Sequence, residues 1–111
     1  MNGNVHTLRL PYDLSAHLEK LRSLIGMTKT DLLRFAILKF LAVDDLKGIT
    51  PAQVTYDSSK RINIVLTPFL EQIIIDQSKK TGQSVNSLVI FAAAQAYKYY
   101  SDMLEQQEKS R

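Results

Sequence analysis

Residues 61–68, Arg-Ile-Asn-Ile-Val-Leu-Thr-Pro, join an alternating apolar stretch directly to the start of a helix. Ile62, Ile64 and Leu66 recur with a period of two, which is typical of a strand with one buried face. Thr67-Pro68 then supplies a capping hydroxyl and a proline at the first helical position, where the missing N–H of proline costs nothing. The stretch therefore predicts a short strand that leads at once into a helix.

The whole arrangement occurs twice, because the chain aligns with itself without a gap after a shift of 56 residues, from Leu10 to Leu66. The other identical pairs are Leu14 and Leu70, Gly26 and Gly82, Leu32 and Leu88, Phe35 and Phe91, and Ala36 and Ala92. The first copy opens with the alternating residues 5–10, Val-His-Thr-Leu-Arg-Leu, which correspond to 61–66. A repeated supersecondary unit explains this self-similarity, and the predicted unit is strand-helix-helix.

Small and hydroxyl-bearing residues divide each copy into two helices. Asp13 is the expected cap of the first helix, and Gly26 and Gly82 are expected to end the first helix of each copy in the left-handed conformation. Thr28 and Ser84 follow two residues later and are expected to cap the second helices. The units predicted from these signals are residues 1–42, a linker at 43–59, and residues 60–111 with an extended C-terminal helix. A single helical turn is predicted to begin at Thr50-Pro51 within the linker.

One strand and two helices cannot bury the apolar face of the strand, and a lone strand leaves its backbone edges unpaired. The predicted fold is therefore α+β and mostly helical, with the two units forming a pseudo-dimer of one two-stranded antiparallel β-ribbon and four helices. A homodimer, in which each strand pairs with its twin in a second chain, remains the alternative. Pairing within one chain predicts an asymmetric ribbon, because the two strands differ.

Composition excludes several classes of function. The chain has no cysteine and only two histidines, so thiol chemistry is excluded and neither a metal site nor a cofactor is expected. No nucleophile has an evident base and no glycine-rich phosphate loop occurs, so an enzyme is not expected. No apolar run approaches the length of a membrane span, and the expected location is the cytoplasm, in association with the nucleoid. The net charge of +3 fits contact with phosphates but does not decide it.

The outward face of the predicted ribbon carries residues suited to reading DNA. A two-stranded ribbon fits the major groove, where arginine pairs with guanine, asparagine with adenine, and threonine with either a polar edge or a thymine methyl group. Taken singly, each of these residues would be an ordinary solvent-facing strand residue. The predicted base-reading residues are Val5, Thr7, Arg9, Arg61, Asn63 and Val65.

The starts of the second helices are the predicted phosphate sites. A helix N-terminus presents unpaired N–H groups and the positive end of the helix dipole, so it favours an anion. The same residues also serve as ordinary helix caps. The predicted phosphate-binding residues are Thr28, Lys29, Thr30, Ser84, Val85 and Asn86.

These motifs resemble the ribbon-helix-helix family of Arc and the methionine repressor. The second copy is the closer one, through Gly-Gln-Ser-Val-Asn-Ser at 82–87 and the strand residues Arg61 and Asn63, whereas Val65 stands where Arc has a positively charged residue. The first copy resembles the family through Thr7-x-Arg9, Leu10-Pro11 and Gly26-x-Thr28. The resemblance implies recognition of double-stranded DNA by the ribbon, with helix N-termini on phosphates.

The resemblance also bounds the biological role. The expected function is that of a transcriptional repressor that binds side by side with further copies on repeated sites. The alternative is an accessory protein similar to TraY, which binds near a plasmid transfer origin and has a relaxase as a protein partner. An antitoxin is less favoured, because the C-terminal half repeats the folded unit and leaves only a short tail. The expected partner is double-stranded DNA, and no membrane is expected.

Overall fold

The computed structural model of the protein describes residues 3–46, 49 and 54–109. The elements in chain order are β1 (Asn4–Pro11), α1 (Tyr12–Ile25), α2 (Lys29–Leu41), β2 (Ser59–Leu66), α3 (Pro68–Thr81) and α4 (Val85–Lys109). Strand, helix and helix thus follow one another twice, and the fold is α+β and mostly helical, as the sequence predicts. The turn predicted at Thr50-Pro51 lies outside the described residues. None of the helices in the described ranges is both long and apolar enough to cross a membrane.

The two strands pair with each other in a two-stranded antiparallel sheet. Thr7 lies opposite Asn63 in this register, so the two residues that occupy the same position in the two copies face each other. Leu8 and Ile64 alternate with them and are buried. Leu10 and Leu66, each near the C-terminal end of its own strand, are buried as well. Alternation along a strand therefore separates an apolar underside from an exposed upper face, as predicted.

The helices cover the underside of the ribbon and form one core with it. The buried side chains of α2 and α4 meet at its centre, and those of α1 and α3 complete it at the sides. The buried face of α4 carries the small side chains of Ala92, Ala93 and Ala96, which leave room for the larger side chains of α2 to pack against it. The buried residues of α2 are Leu32, Leu33, Ala36, Ile37 and Leu41.

The starts of α1 and α3 differ, and the predicted cap of α1 is wrong. Thr67 accepts a hydrogen bond from the backbone N–H of Leu70 at 3.3 Å, which confirms the predicted cap of α3. In α1, by contrast, Pro11 occupies the capping position without a side-chain bond, and Asp13 lies inside the first turn. The backbone N–H of Tyr12 instead donates to the carbonyl of Ser58 at 3.2 Å. The end of the linker thus provides the acceptor for the first N–H of the helix.

Gly26 and Gly82 end α1 and α3 as predicted. Their φ angles are 76° and 72°, and these are the left-handed conformations that a side chain would strain. Each glycine N–H donates back to a carbonyl of its own helix, of Arg22 and Ser78 respectively. The chain can therefore reverse within two or three residues and begin α2 or α4 next to the ribbon.

We predict that Ile64→Ala will lower the free energy of unfolding by about 2–5 kcal/mol, because Ile64 is fully buried beneath the ribbon. Val5→Ala is the matched control on the opposite face of the ribbon, where the side chain is 64% exposed, and we expect a change below about 0.5 kcal/mol. Urea denaturation monitored by circular dichroism measures both. Equal effects of the two substitutions would contradict the assignment of the two faces.

Candidate nucleic-acid interface

The six predicted base-reading residues share the upper face of the ribbon. They form three pairs directly across it, with Val5 opposite Val65, Thr7 opposite Asn63, and Arg9 opposite Arg61. The side chains of Val5, Thr7, Arg61 and Asn63 are exposed, and those of Arg9 and Val65 are half-buried. The surface therefore runs from two valines at one end, through a polar centre, to two arginines at the other.

Thr7 and Asn63 form a hydrogen bond at the centre of this face. The Thr7 hydroxyl donates to Asn63 Oδ1 at 2.9 Å, a cross-strand pair on the exposed surface. The bond sets the direction of the Asn63 amide and leaves its two N–H donors and one lone pair of Oδ1 for another molecule. A base edge that offers one acceptor and one donor, as adenine does in the major groove, matches this amide.

Arg9 is held by its own chain. Its Nε donates to Ser59 Oγ at 2.7 Å, and its Nη2 donates to the carbonyl oxygens of Ser59 at 2.8 Å and Tyr56 at 3.1 Å. The guanidinium also lies over the ring of Tyr56, 4.6 Å from its centroid. Only Nη1 is left to donate elsewhere. Tyr56 lies just before β2 and Ser59 is its first residue, and nothing in the sequence pattern predicts these contacts.

Arg61 is the freer of the two arginines. Its side chain is exposed, and across the described parts of the chain its guanidinium has no hydrogen bond or ion pair. Two like charges that start from opposite positions of adjacent strands repel each other. The attachment of Arg9 to Ser59 and Tyr56 holds its guanidinium against the protein, whereas the side chain of Arg61 is left exposed.

Side chains from the second helices close the outer edges of the ribbon. Asn86, in the first turn of α4, accepts from the N–H of Arg9 at 2.8 Å and donates to the carbonyl of Arg9 at 3.0 Å. On the other edge, Arg34 of α2 donates from Nε to the carbonyl of Val65 at 2.9 Å and from Nη1 to Asp31 at 2.8 Å. Arg9 and Val65 occupy the same position in the two copies. Each second helix thus lies against the strand of the other copy.

The predicted phosphate sites are the N-termini of these two helices. Thr28 accepts from the N–H of Asp31 at 3.1 Å, and Ser84 accepts from the N–H of Ser87 at 3.1 Å, so both predicted caps are confirmed. The first N–H groups of each helix have no acceptor within the helix. These groups belong to Lys29 and Thr30 in α2 and to Val85 and Asn86 in α4. The Asn86 side chain is already bound to β1, so only its backbone N–H is left for an anion.

Lys29 lies in a depression beside the start of α2. Its Nζ donates to Ser15 Oγ at 2.6 Å, and the depression, about 450 Å³ in volume, is also lined by Lys60 and by the carboxylate of Glu19. Burial lowers the pKa of Lys29, and the positive charge of Lys60 lowers it further. Lys60 precedes the predicted strand and was not among the predicted site residues. An anion bound between the ammonium groups of Lys29 and Lys60 would favour the charged form of Lys29.

The other end of the ribbon has an acidic neighbour. His6 Nε2 lies 2.6 Å from Glu71 Oε2, and the side-chain amide of Asn4 donates to both carboxylate oxygens at 3.1 Å. Hydrogen bonds from His6 and then from Asn4 lower the pKa of Glu71, so the carboxylate is charged at neutral pH. Among the described residues no group of three acidic or histidine side chains could hold a metal ion.

We predict that Asn86→Ala will destabilise the protein by about 1–3 kcal/mol, because it leaves the N–H and carbonyl of Arg9 without a partner at a partly buried edge. Asn86→Asp keeps an acceptor but loses the donor, so we expect a smaller loss. Gln72→Ala, at an exposed position of α3, is the control. The measurements are the free energy of unfolding and the amide exchange rate of Arg9; an unchanged exchange rate would contradict this role of Asn86.

Comparison of the chain with models of known protein families, with curated proteins and with solved structures gives no match. The similarity to the ribbon-helix-helix family therefore rests on the residues of this chain, above all on 82–87 and on the polar strand positions. What the family does is the basis of a proposal for this protein.

Proposed function

We propose that the protein binds double-stranded DNA at specific sequences, by placing the upper face of its β-ribbon in the major groove, and acts as a transcriptional repressor. The observation that carries the proposal is a two-stranded ribbon with polar, outward side chains and a helix N-terminus along each edge. A ribbon of this width fits the major groove of B-DNA, and its arginine, asparagine and threonine suit the edges of bases. The flanking helix ends suit the phosphates on either side.

Two ribbon-helix-helix units that pair within one chain, as a pseudo-dimer, make up the proposed DNA-binding unit. Three observations support this arrangement. Equivalent residues Thr7 and Asn63 lie opposite each other, the strands pair inside one chain, and equivalent positions Arg9 and Val65 are held by the second helix of the other copy. A single chain then presents the surface for which a protein with one unit needs two chains.

The proposed phosphate contacts fix the position of the ribbon on the duplex. Lys29 and Lys60 add charge beside the N-terminus of α2, where a phosphate oxygen could accept from backbone N–H groups and from an ammonium together. Contacts of this kind carry no sequence information but supply much of the affinity. Occupation of an operator by the bound protein then blocks transcription from the neighbouring promoter.

We predict that Arg61→Ala will weaken binding to a duplex selected by the protein by about 1–3 kcal/mol, and will leave binding to unrelated duplexes almost unchanged. The reason is that the Arg61 guanidinium is exposed on the upper face and can bond guanine in two places. Fluorescence anisotropy with labelled duplexes measures both affinities. Lys98→Ala is the control: it removes an exposed charge on α4, 12 residues (98 − 86) and about 18 Å along the helix from Asn86. Equal losses for Arg61→Ala and Lys98→Ala would contradict base reading.

We predict a different result for Lys29→Ala. A phosphate contact is lost in this variant, so affinity should fall similarly for selected and unrelated duplexes, and the slope of log K against log salt should decrease by about one. Anisotropy titrations at four salt concentrations give the slope for the wild type and the variant. A loss confined to the selected sequence would place Lys29 on a base instead.

A further inference from the structure

The three outward residues of the two strands occur in opposite orders. β1 presents Val5, Thr7 and Arg9, whereas β2 presents Arg61, Asn63 and Val65. In this register the first outward residue of one strand lies opposite the third outward residue of the other. If the two strands were identical, both ends of the ribbon would therefore carry the same pair of residues. The reversed order has the opposite result, because it brings the two arginines together at one end and the two valines together at the other.

The Arg9–Arg61 pair also lies close together. The N–H and carbonyl of Arg9 both bond to Asn86 at the outer edge, so Arg9 does not exchange backbone bonds with Arg61. Pairs of this kind have Cα atoms only ~4.5 Å apart, and their side chains lie close. The valine pair lies four residues along the strand, at a distance of about 13 Å. The ribbon therefore presents two different ends over a length of about four base pairs.

The charged side chains beside the ribbon also differ between its two ends. The depression beside Lys29 is lined by Lys60, Ser15 and the carboxylate of Glu19, and it lies at the arginine end, because Lys60 is next to Arg61 in β2. In the other copy the equivalent positions, 56 residues away, are Val85, Asn4 and Glu71.

The difference between these two equivalent places is electrostatic. At the first place two ammonium groups and a hydroxyl share the depression with the carboxylate of Glu19, whereas at the second the amide of Asn4 binds the charged carboxylate of Glu71. The first place therefore carries two positive charges against one negative charge, whereas the charged group among the three equivalent positions of the other copy is the carboxylate of Glu71. The second position repels an anion that the first attracts.

We propose that the protein recognises a directional, non-palindromic DNA site and binds it in one orientation. The proposal rests on the DNA-binding function proposed above. At one end Arg61, assisted by Nη1 of Arg9, reads guanine, and the adjacent phosphate lies between Lys29 and Lys60. At the other end Val5 and Val65 contact thymine methyl groups. Asn63, oriented by Thr7, reads adenine between them.

Selection of bound sequences from a pool of random duplexes tests the proposal with the wild-type protein. We expect a motif that differs from its own inverted repeat, with G·C pairs conserved at one end and T·A pairs at the other. A palindromic motif would overturn the directional site but leave the DNA-binding function intact. No enrichment of any sequence would overturn the DNA-binding function itself, and the directional site with it.

An exchange of residues within β2 tests the role of their order. The variant Arg61→Val/Val65→Arg has the same composition and charge as the wild type but places one arginine and one valine at each end. We expect its selected motif to carry guanine at both ends and to approach an inverted repeat. Retention of the wild-type motif would overturn the proposal. Circular dichroism and urea denaturation establish that the variant folds as the wild type does.

The orientation can also be measured with the wild-type ribbon, so the test does not depend on the folding of the exchanged variant. The chain has no cysteine, so Asp57→Cys, at an exposed turn next to Tyr56 and the arginine end, provides a single attachment point for an iron-EDTA cleavage reagent. We expect cleavage on one side only of the selected motif, next to its guanine end. Equal cleavage on both sides would show binding in both orientations and overturn the proposal.

Discussion

The pairing of β1 with β2 is the contact on which the rest of the structure depends. Either strand alone would leave a row of backbone donors and acceptors without partners and an apolar face in water. In the observed register Leu8 and Ile64 point into the helices, while Thr7 and Asn63 point outward. A slip of one residue would exchange these faces, so the apolar core and the polar surface specify the same register. The order of residues along the upper face then follows from the pairing.

The sequence predicts the elements and the two faces of the ribbon well, because these depend on local signals and on simple periodicity. Thr67-Pro68, Gly26 and Gly82 act through the backbone within a few residues, and the structure agrees with them. Asp13 is the instructive exception. Its capping role was predicted from its residue type, but the N–H group that opens α1 is satisfied by Ser58, which is 46 residues away (58 − 12) from Tyr12. Long-range partners of this kind leave no local pattern.

The same distinction applies to the candidate site. Alternation along the strand predicts that Arg9 lies at the surface where DNA is proposed to bind, and the helix start predicts the same of Asn86, but neither signal predicts what these residues bond to in the free protein. The side chain of Asn86 is hydrogen-bonded to the edge of β1, and the guanidinium of Arg9 is bound to Ser59 and Tyr56. The bonds between Arg9 and the linker arise from the crossing of two segments that are far apart in sequence. The base-reading and phosphate roles proposed for these residues must therefore use the groups that remain, Nη1 of Arg9 and the backbone N–H of Asn86.

The concentration of positive charge at one end of the ribbon has a cost in the free protein. Burial and the neighbouring Lys60 lower the pKa of Lys29, which means that its charged form is less favourable in the folded chain than in water. Below the lowered pKa this cost is present in full, and as pH rises towards the ordinary pKa of lysine it disappears, because the folded chain releases the proton first. A phosphate bound between Lys29 and Lys60 would remove the cost at neutral pH. Binding there would be coupled to stability, since a ligand that binds only the folded state stabilises it. No such cost arises at the equivalent positions of the other copy, because His6 and Asn4 lie within hydrogen-bonding distance of the Glu71 carboxylate. The asymmetry proposed for the DNA site therefore follows from the energetics of the free protein as well as from the order of the residues that face the groove.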